Sequence, residues 1–102
     1  MKIPKSIRIA GHDVRVRQVK SIQKNTFLGE ADHVTNTIYI AQNCHNKKVA
    51  KDQIIDTLLH EILHHLDDKL KIGLGEKKVT LLSAGLFQVL SDNNIDFRKK
   101  RG

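Results

Sequence analysis

One segment limits the fold more than any other. From Asp52 to Leu70 the apolar residues Ile55, Leu58, Leu59, Ile62, Leu63 and Leu66 recur with the period of an α-helix. At about 100° per residue they make one broad stripe, and His60 and His64 point almost directly away from it. Those histidines belong to His60-Glu61-Ile62-Leu63-His64, an H-E-x-x-H pattern. Residues four apart lie one turn above each other on a helix, so the two imidazoles can close on a single ion. Glu61 sits beside them, placed to take a proton from a metal-bound water.

Two histidines do not complete such a site, because catalytic zinc normally takes three protein ligands and keeps a fourth position for water. Asp68 continues the line of His60 and His64, but a helix rises 1.5 Å per residue, so His60 and Asp68 stand about 12 Å apart. One ion cannot reach all three. Glu76 is the better third ligand. It opens a second helical pattern, from about Glu76 to Ser91, whose apolar stripe is Val79, Leu82, Leu86 and Leu90. Its direction falls on the inward half of that helix, beside Val79 and Ser83, where a carboxylate requires a cation or donors. The link Lys71-Ile72-Gly73-Leu74-Gly75 contains two glycines and gives the chain room to fold back.

Upstream, Ser6–Ala10 and Val14–Val19 alternate apolar and polar residues around Gly11-His12-Asp13, which predicts a β-hairpin burying Ile7, Ile9, Val14 and Val16. Phe27–Val34 suggests a third strand that Gly29 weakens, and Thr37–Ala41 is the clearest strand in the chain. Asn43–Lys48 reads as a polar connection. The expected fold class is α+β: a small N-terminal antiparallel sheet of three to four strands followed by two helices, as a single domain over residues 1–102. Residues 1–46 form its sheet part, 47–94 the motif helix and the glutamate helix, and 95–102 a basic tail ending in Lys99-Lys100-Arg101-Gly102.

Composition narrows the function classes. The chain has 18 basic and 11 acidic side chains, for a formal net charge of +7. Such a surface favours anionic partners, yet the basic residues are dispersed and aromatics are few, which argues against a nucleic-acid reader that works by stacking. A lone cysteine, Cys44, allows no internal disulfide, and no stretch has the length and hydropathy of a signal peptide or membrane span; a cytoplasmic protein is expected.

With Thr57–Asp67 (TLLHEILHHLD) and Gly75–Leu86 (GEKKVTLLSAGL) in hand, the chain resembles the minigluzincins, very small H-E-x-x-H zinc metallopeptidases of prokaryotes and their phages. The resemblance covers the C-terminal half well and the hairpins only in outline. It implies a reduced zincin fold, with Zn²⁺ held by His60, His64 and Glu76 and Glu61 as the catalytic base. It also implies a peptide or protein substrate lying along an edge strand at residues 37–41. The chain departs from larger gluzincins in having Thr80 where an aspartate orients a ligand histidine. No downstream residue offers itself to stabilise an oxyanion, and Tyr39, His45 and His33 are the candidates. The alternative expectation is a non-catalytic, zinc-stabilised basic domain that binds a protein or nucleic-acid partner.

Overall fold

The computed structural model describes residues 2–95; the basic tail expected beyond Ile95 lies outside the described residues. Strands β1 (Ser6–Ile9) and β2 (His12–Val19) form the N-terminal hairpin. Its turn is Ala10-Gly11, one position earlier than the sequence suggests, with Ile9 paired to His12. Both turn residues have positive φ, 50° and 82°, the conformation that matches the twist of a two-residue hairpin. Strands β3 (Gly29–Asp32) and β4 (Thr37–Ala41) follow, then a short hairpin of β5 (Asn43–Cys44) and β6 (Lys47–Lys48) where a polar connection was expected. Helix α1 spans Lys51–Leu70 and α2 spans Glu76–Asp92.

The fold is α+β, a four-stranded sheet followed by two helices, and the sheet is mixed where an antiparallel one was expected. Its order is β1-β2-β4-β3, with β2 and β4 parallel and the other two pairings antiparallel. The long excursion from Lys20 to Asn36 permits this, since parallel neighbours require a connection of roughly a dozen residues or more. β3 lies within that excursion and folds back onto the outer side of β4. Thr37–Ala41 is therefore an interior strand, with Ile38, Ile40 and Ala41 fully buried, and the expectation that it forms the sheet edge is corrected. The edge near the helices is β3.

α1 lies across the sheet. Ile9, Val14, Val16, Ile38, Ile40 and Leu58 make the centre of the core, with Ile54, Ile62 and Leu66 packed against it. The alternation in β2 and the stripe on α1 bury the faces expected of them, with Arg8, Arg15 and Arg17 exposed. His65 stands on α1 directly after the H-E-x-x-H motif. It is wholly buried, and its Nε2–H donates to the carbonyl oxygen of Thr37 at 3.2 Å, which docks the helix onto the start of β4. Burial holds the His65 imidazole below its usual pKa, as a neutral group. One turn further along, Lys69 Nζ donates to Asn36 Oδ1 at 2.6 Å, fixing the same end of the helix to the β3–β4 turn.

α2 packs chiefly against α1. Val79 and Ser83 are its buried residues, while Leu82 and Leu86 of the expected stripe remain substantially exposed. A single helix covers a narrower line of its neighbour than a full core does, so only the residues facing α1 are covered. Among the described residues, no helix is long and apolar enough to cross a membrane.

Candidate metal centre

The motif helix presents its two histidines to a cleft between β3, α1 and the start of α2. His60 and His64, one turn apart, bring their Nε2 atoms to 3.1 Å from each other. Glu76, the first residue of α2, reaches back over them, with Oε1 2.8 Å from His60 Nε2 and Oε2 2.8 Å from His64 Nε2. One ligand atom from each of the three residues lies within 4.8 Å of the others. This is the trio expected from sequence, and among the described residues it is the one group of three or more such side chains arranged to hold a metal.

The donor set suits zinc. Ligand atoms bound at about 2.0–2.1 Å and near the tetrahedral angle stand roughly 3.3 Å apart, close to the separations seen here. Two imidazole nitrogens and a carboxylate are all acceptors when unprotonated, so they converge only around a shared proton or a cation. The Glu76 side chain is 68% exposed and yet turns inward to both rings.

Glu76 owes its position to the turn before it. α1 ends at Lys71, whose φ of 54° and ψ of 50° are left-handed, and the Lys71 and Ile72 N–H groups donate to the Asp67 carbonyl. The Asp67 carboxylate then accepts from Gly73 N–H at 2.6 Å and Leu74 N–H at 3.0 Å. These bonds hold its pKa below the usual carboxylate value. A single side chain thus folds the loop back so that α2 starts beside His60 and His64. Gly73 and Gly75, both with φ of 81°, supply conformations that other residues adopt rarely.

Glu61 lies on the floor of the same cleft and is only 6% exposed. Burial, and then the negative charges of Glu76 and Glu30, push its carboxyl up to about 7. β3 passes directly over it. An added Cβ on Gly29 would stand 2.5 Å from Thr57 Cγ2 and 2.9 Å from Glu61 Oε2, so only glycine lets the strand come this near. The glycine read as a weakness in the strand is what allows sheet and motif helix to meet.

The Ala41 N–H donates to the Leu28 carbonyl at 2.8 Å, which fixes the hydrogen-bonding phase of the β3–β4 pair. In that phase Glu30 and Asp32 turn their backbone groups toward β4, while Gly29 and Ala31 turn theirs toward the open edge beside the cleft. The cleft encloses about 370 Å³. His33, just past β3, also lines it, and its Nδ1 is 3.8 Å from Asp68 Oδ2. Asp68 therefore stands with His33 and outside the metal group. Of the three oxyanion candidates, His33 borders the cleft, whereas His45 lines a separate depression beside β5 and β6, and Tyr39 lines neither.

Sequence reasoning passed over the work done by Gly29, Asp67 and Thr57. A glycine inside a strand pattern and an aspartate just ahead of a glycine-rich turn were the available signals. Comparison of the chain with protein-family models, curated proteins and solved structures finds no match.

Proposed function

We propose that this protein is a zinc-dependent peptidase of the gluzincin type, in which His60, His64 and Glu76 hold the metal and Glu61 is the general base. The observation that carries this reading is the convergence of the three ligand atoms in a cleft whose floor is the buried Glu61 carboxylate. Zinc bound by three protein ligands supplies Lewis acidity toward water and a peptide carbonyl.

The chain's own residues supply the remaining requirements. Glu61 accepts the proton of the attacking water and returns it to the departing amine nitrogen. Its pKa near 7 in the metal-free chain comes first from burial and then from the negative charges of Glu76 and Glu30, the latter being what a divalent cation would offset. The outward backbone groups of Gly29 and Ala31 pair with an extended peptide, so substrate adds to β3 and not to residues 37–41. His33 faces the cleft where negative charge develops on the carbonyl oxygen. The lone cysteine agrees with a reducing, cytoplasmic setting, and the minigluzincin resemblance with a prokaryotic or phage origin.

A second reading, a non-catalytic basic domain pinned by zinc, is favoured by one observation: α2 packs chiefly on α1, so an ion between His60, His64 and Glu76 would tie it down. The two readings separate on Glu61→Gln. Zinc-loaded protein is incubated with a peptide mixture and the fragments are mapped by mass spectrometry. A peptidase cuts, and Glu61→Gln keeps its zinc while losing at least about 100-fold in turnover. No fragments from the zinc-loaded parent, or full activity in Glu61→Gln, contradicts the peptidase reading.

A further inference from the structure

The cleft continues past Glu61 into a second recess between α1 and α2, of about 310 Å³, which shares His60, Glu61 and Glu76 with the metal centre. Phe27 and Leu28 form one wall. Gln53, Asp56, Thr80 and Ser83 are among its polar lining residues. Among the described residues, two buried side-chain atoms lack a hydrogen-bond partner, and one of them is Asp56 Oδ1. The other, His65 Nδ1, lies in the helix–sheet interface and not in this recess.

A buried carboxylate oxygen without a donor is unfavourable, the more so when the group is charged. Asp56 forms no salt bridge among the described residues, although the chain carries an excess of cations. The recess therefore combines apolar and acidic lining residues with a volume suited to one long side chain. Lysine and arginine have that form, an aliphatic stem carrying a cation at its tip.

We propose that this recess is the specificity pocket of the peptidase and receives a lysine or arginine side chain next to the scissile bond, with Asp56 as its counter-charge. The proposal rests on the peptidase reading and adds the class of substrate. The stem lies along Phe27 and Leu28, and the cation donates to the Asp56 carboxylate with the polar ends of Gln53, Thr80 and Ser83 around it. Sites that hydrogen-bond a substrate group discriminate strongly against analogues lacking it, because their own buried polar atoms are then left unpaired. Norleucine, which keeps the stem and lacks the charge, is the diagnostic analogue.

Cleavage sites of the zinc-loaded protein are mapped on a peptide library, and matched peptides with lysine or norleucine at the selected position are then compared. Lysine should exceed norleucine by tenfold or more in kcat/KM, and Asp56→Asn should bring that ratio close to one. Absence of a basic preference in the parent, or an unchanged ratio in Asp56→Asn, overturns the proposal. If no library peptide is cut, the peptidase reading fails and binding decides the pocket separately. N-acetyl-lysinamide, titrated into zinc-loaded protein and followed by amide NMR, should shift Thr57, Thr80 and Ser83 in the parent and not in Asp56→Asn; no shift in the parent overturns the pocket as well.

Discussion

Replacing Gly29 by alanine tests the packing that sets the Glu61 carboxylate, the general base of the proposed peptidase. The new methyl would meet Thr57 Cγ2 at 2.5 Å, Glu61 Oε2 at 2.9 Å and Glu61 Cγ at 3.2 Å. Thr57 and Glu61 are 5% and 6% exposed, so neither side chain can swing into solvent without opening the interface between β3 and α1. Overpacking of this kind costs about 1–3 kcal/mol. In a domain of this size each kcal/mol lowers Tm by about 4–8 °C, so Gly29→Ala should melt roughly 5–20 °C below the parent. Thr57→Ser removes Cγ2, the atom in worst conflict, at a cost of about 1 kcal/mol by itself for the lost methyl. Combined with Gly29→Ala it should recover part of the loss, leaving the double variant more stable than Gly29→Ala alone. Thermal and urea unfolding of the four proteins, metal-free and zinc-loaded, measures the coupling. An unchanged Tm in Gly29→Ala, or two losses that simply add, would refute the close approach of β3 to Glu61.

Two further expectations follow from the same site. In the metal-free protein, Glu61 titrates near 7 when folded against an ordinary 4.5, so the folded state retains a proton that the unfolded chain has lost. Stability should therefore fall as pH rises from about 4.5 to about 7, by about 3 kcal/mol at most, and Glu61→Gln should flatten the decline; a parent that gains stability over this window relative to the variant contradicts it. Asp67→Ala should weaken zinc binding by tenfold or more in chelator competition, because the loop that presents Glu76 loses its clasp. In a Glu76→Ala background the same change should have little further effect, and an equal loss in both backgrounds would assign Asp67 a general structural role.

The convergence of His60, His64 and Glu76 was legible because these residues lie close together in the chain. Helical spacing puts His60 and His64 on one face, and the glycine-containing turn returns Glu76 to them. The sheet was harder to read. Alternation tells which face of Val14–Val19 is buried, but not whether the strand beside it runs parallel, and β2 meets β4 only after β3 has intervened. That same missing information misplaced the edge strand, since the strongest β-formers, Thr37–Ala41, belong to the interior. On α2 a sequence stripe overstates burial, because one helix is all that covers it and Leu82 and Leu86 stay exposed. The burial of His65 was not legible for a related reason: the Thr37 carbonyl that receives its Nε2–H is contributed by a distant strand.

Metal content tests the central claim most directly. The purified, unchelated protein is assayed by elemental analysis beside His60→Ala and Glu76→Ala, with circular dichroism to confirm that each is folded. One zinc per chain in the parent, lost in His60→Ala and clearly reduced in Glu76→Ala, is the predicted result. A folded parent without metal, or zinc retained in full by both variants, would contradict a centre built from His60, His64 and Glu76.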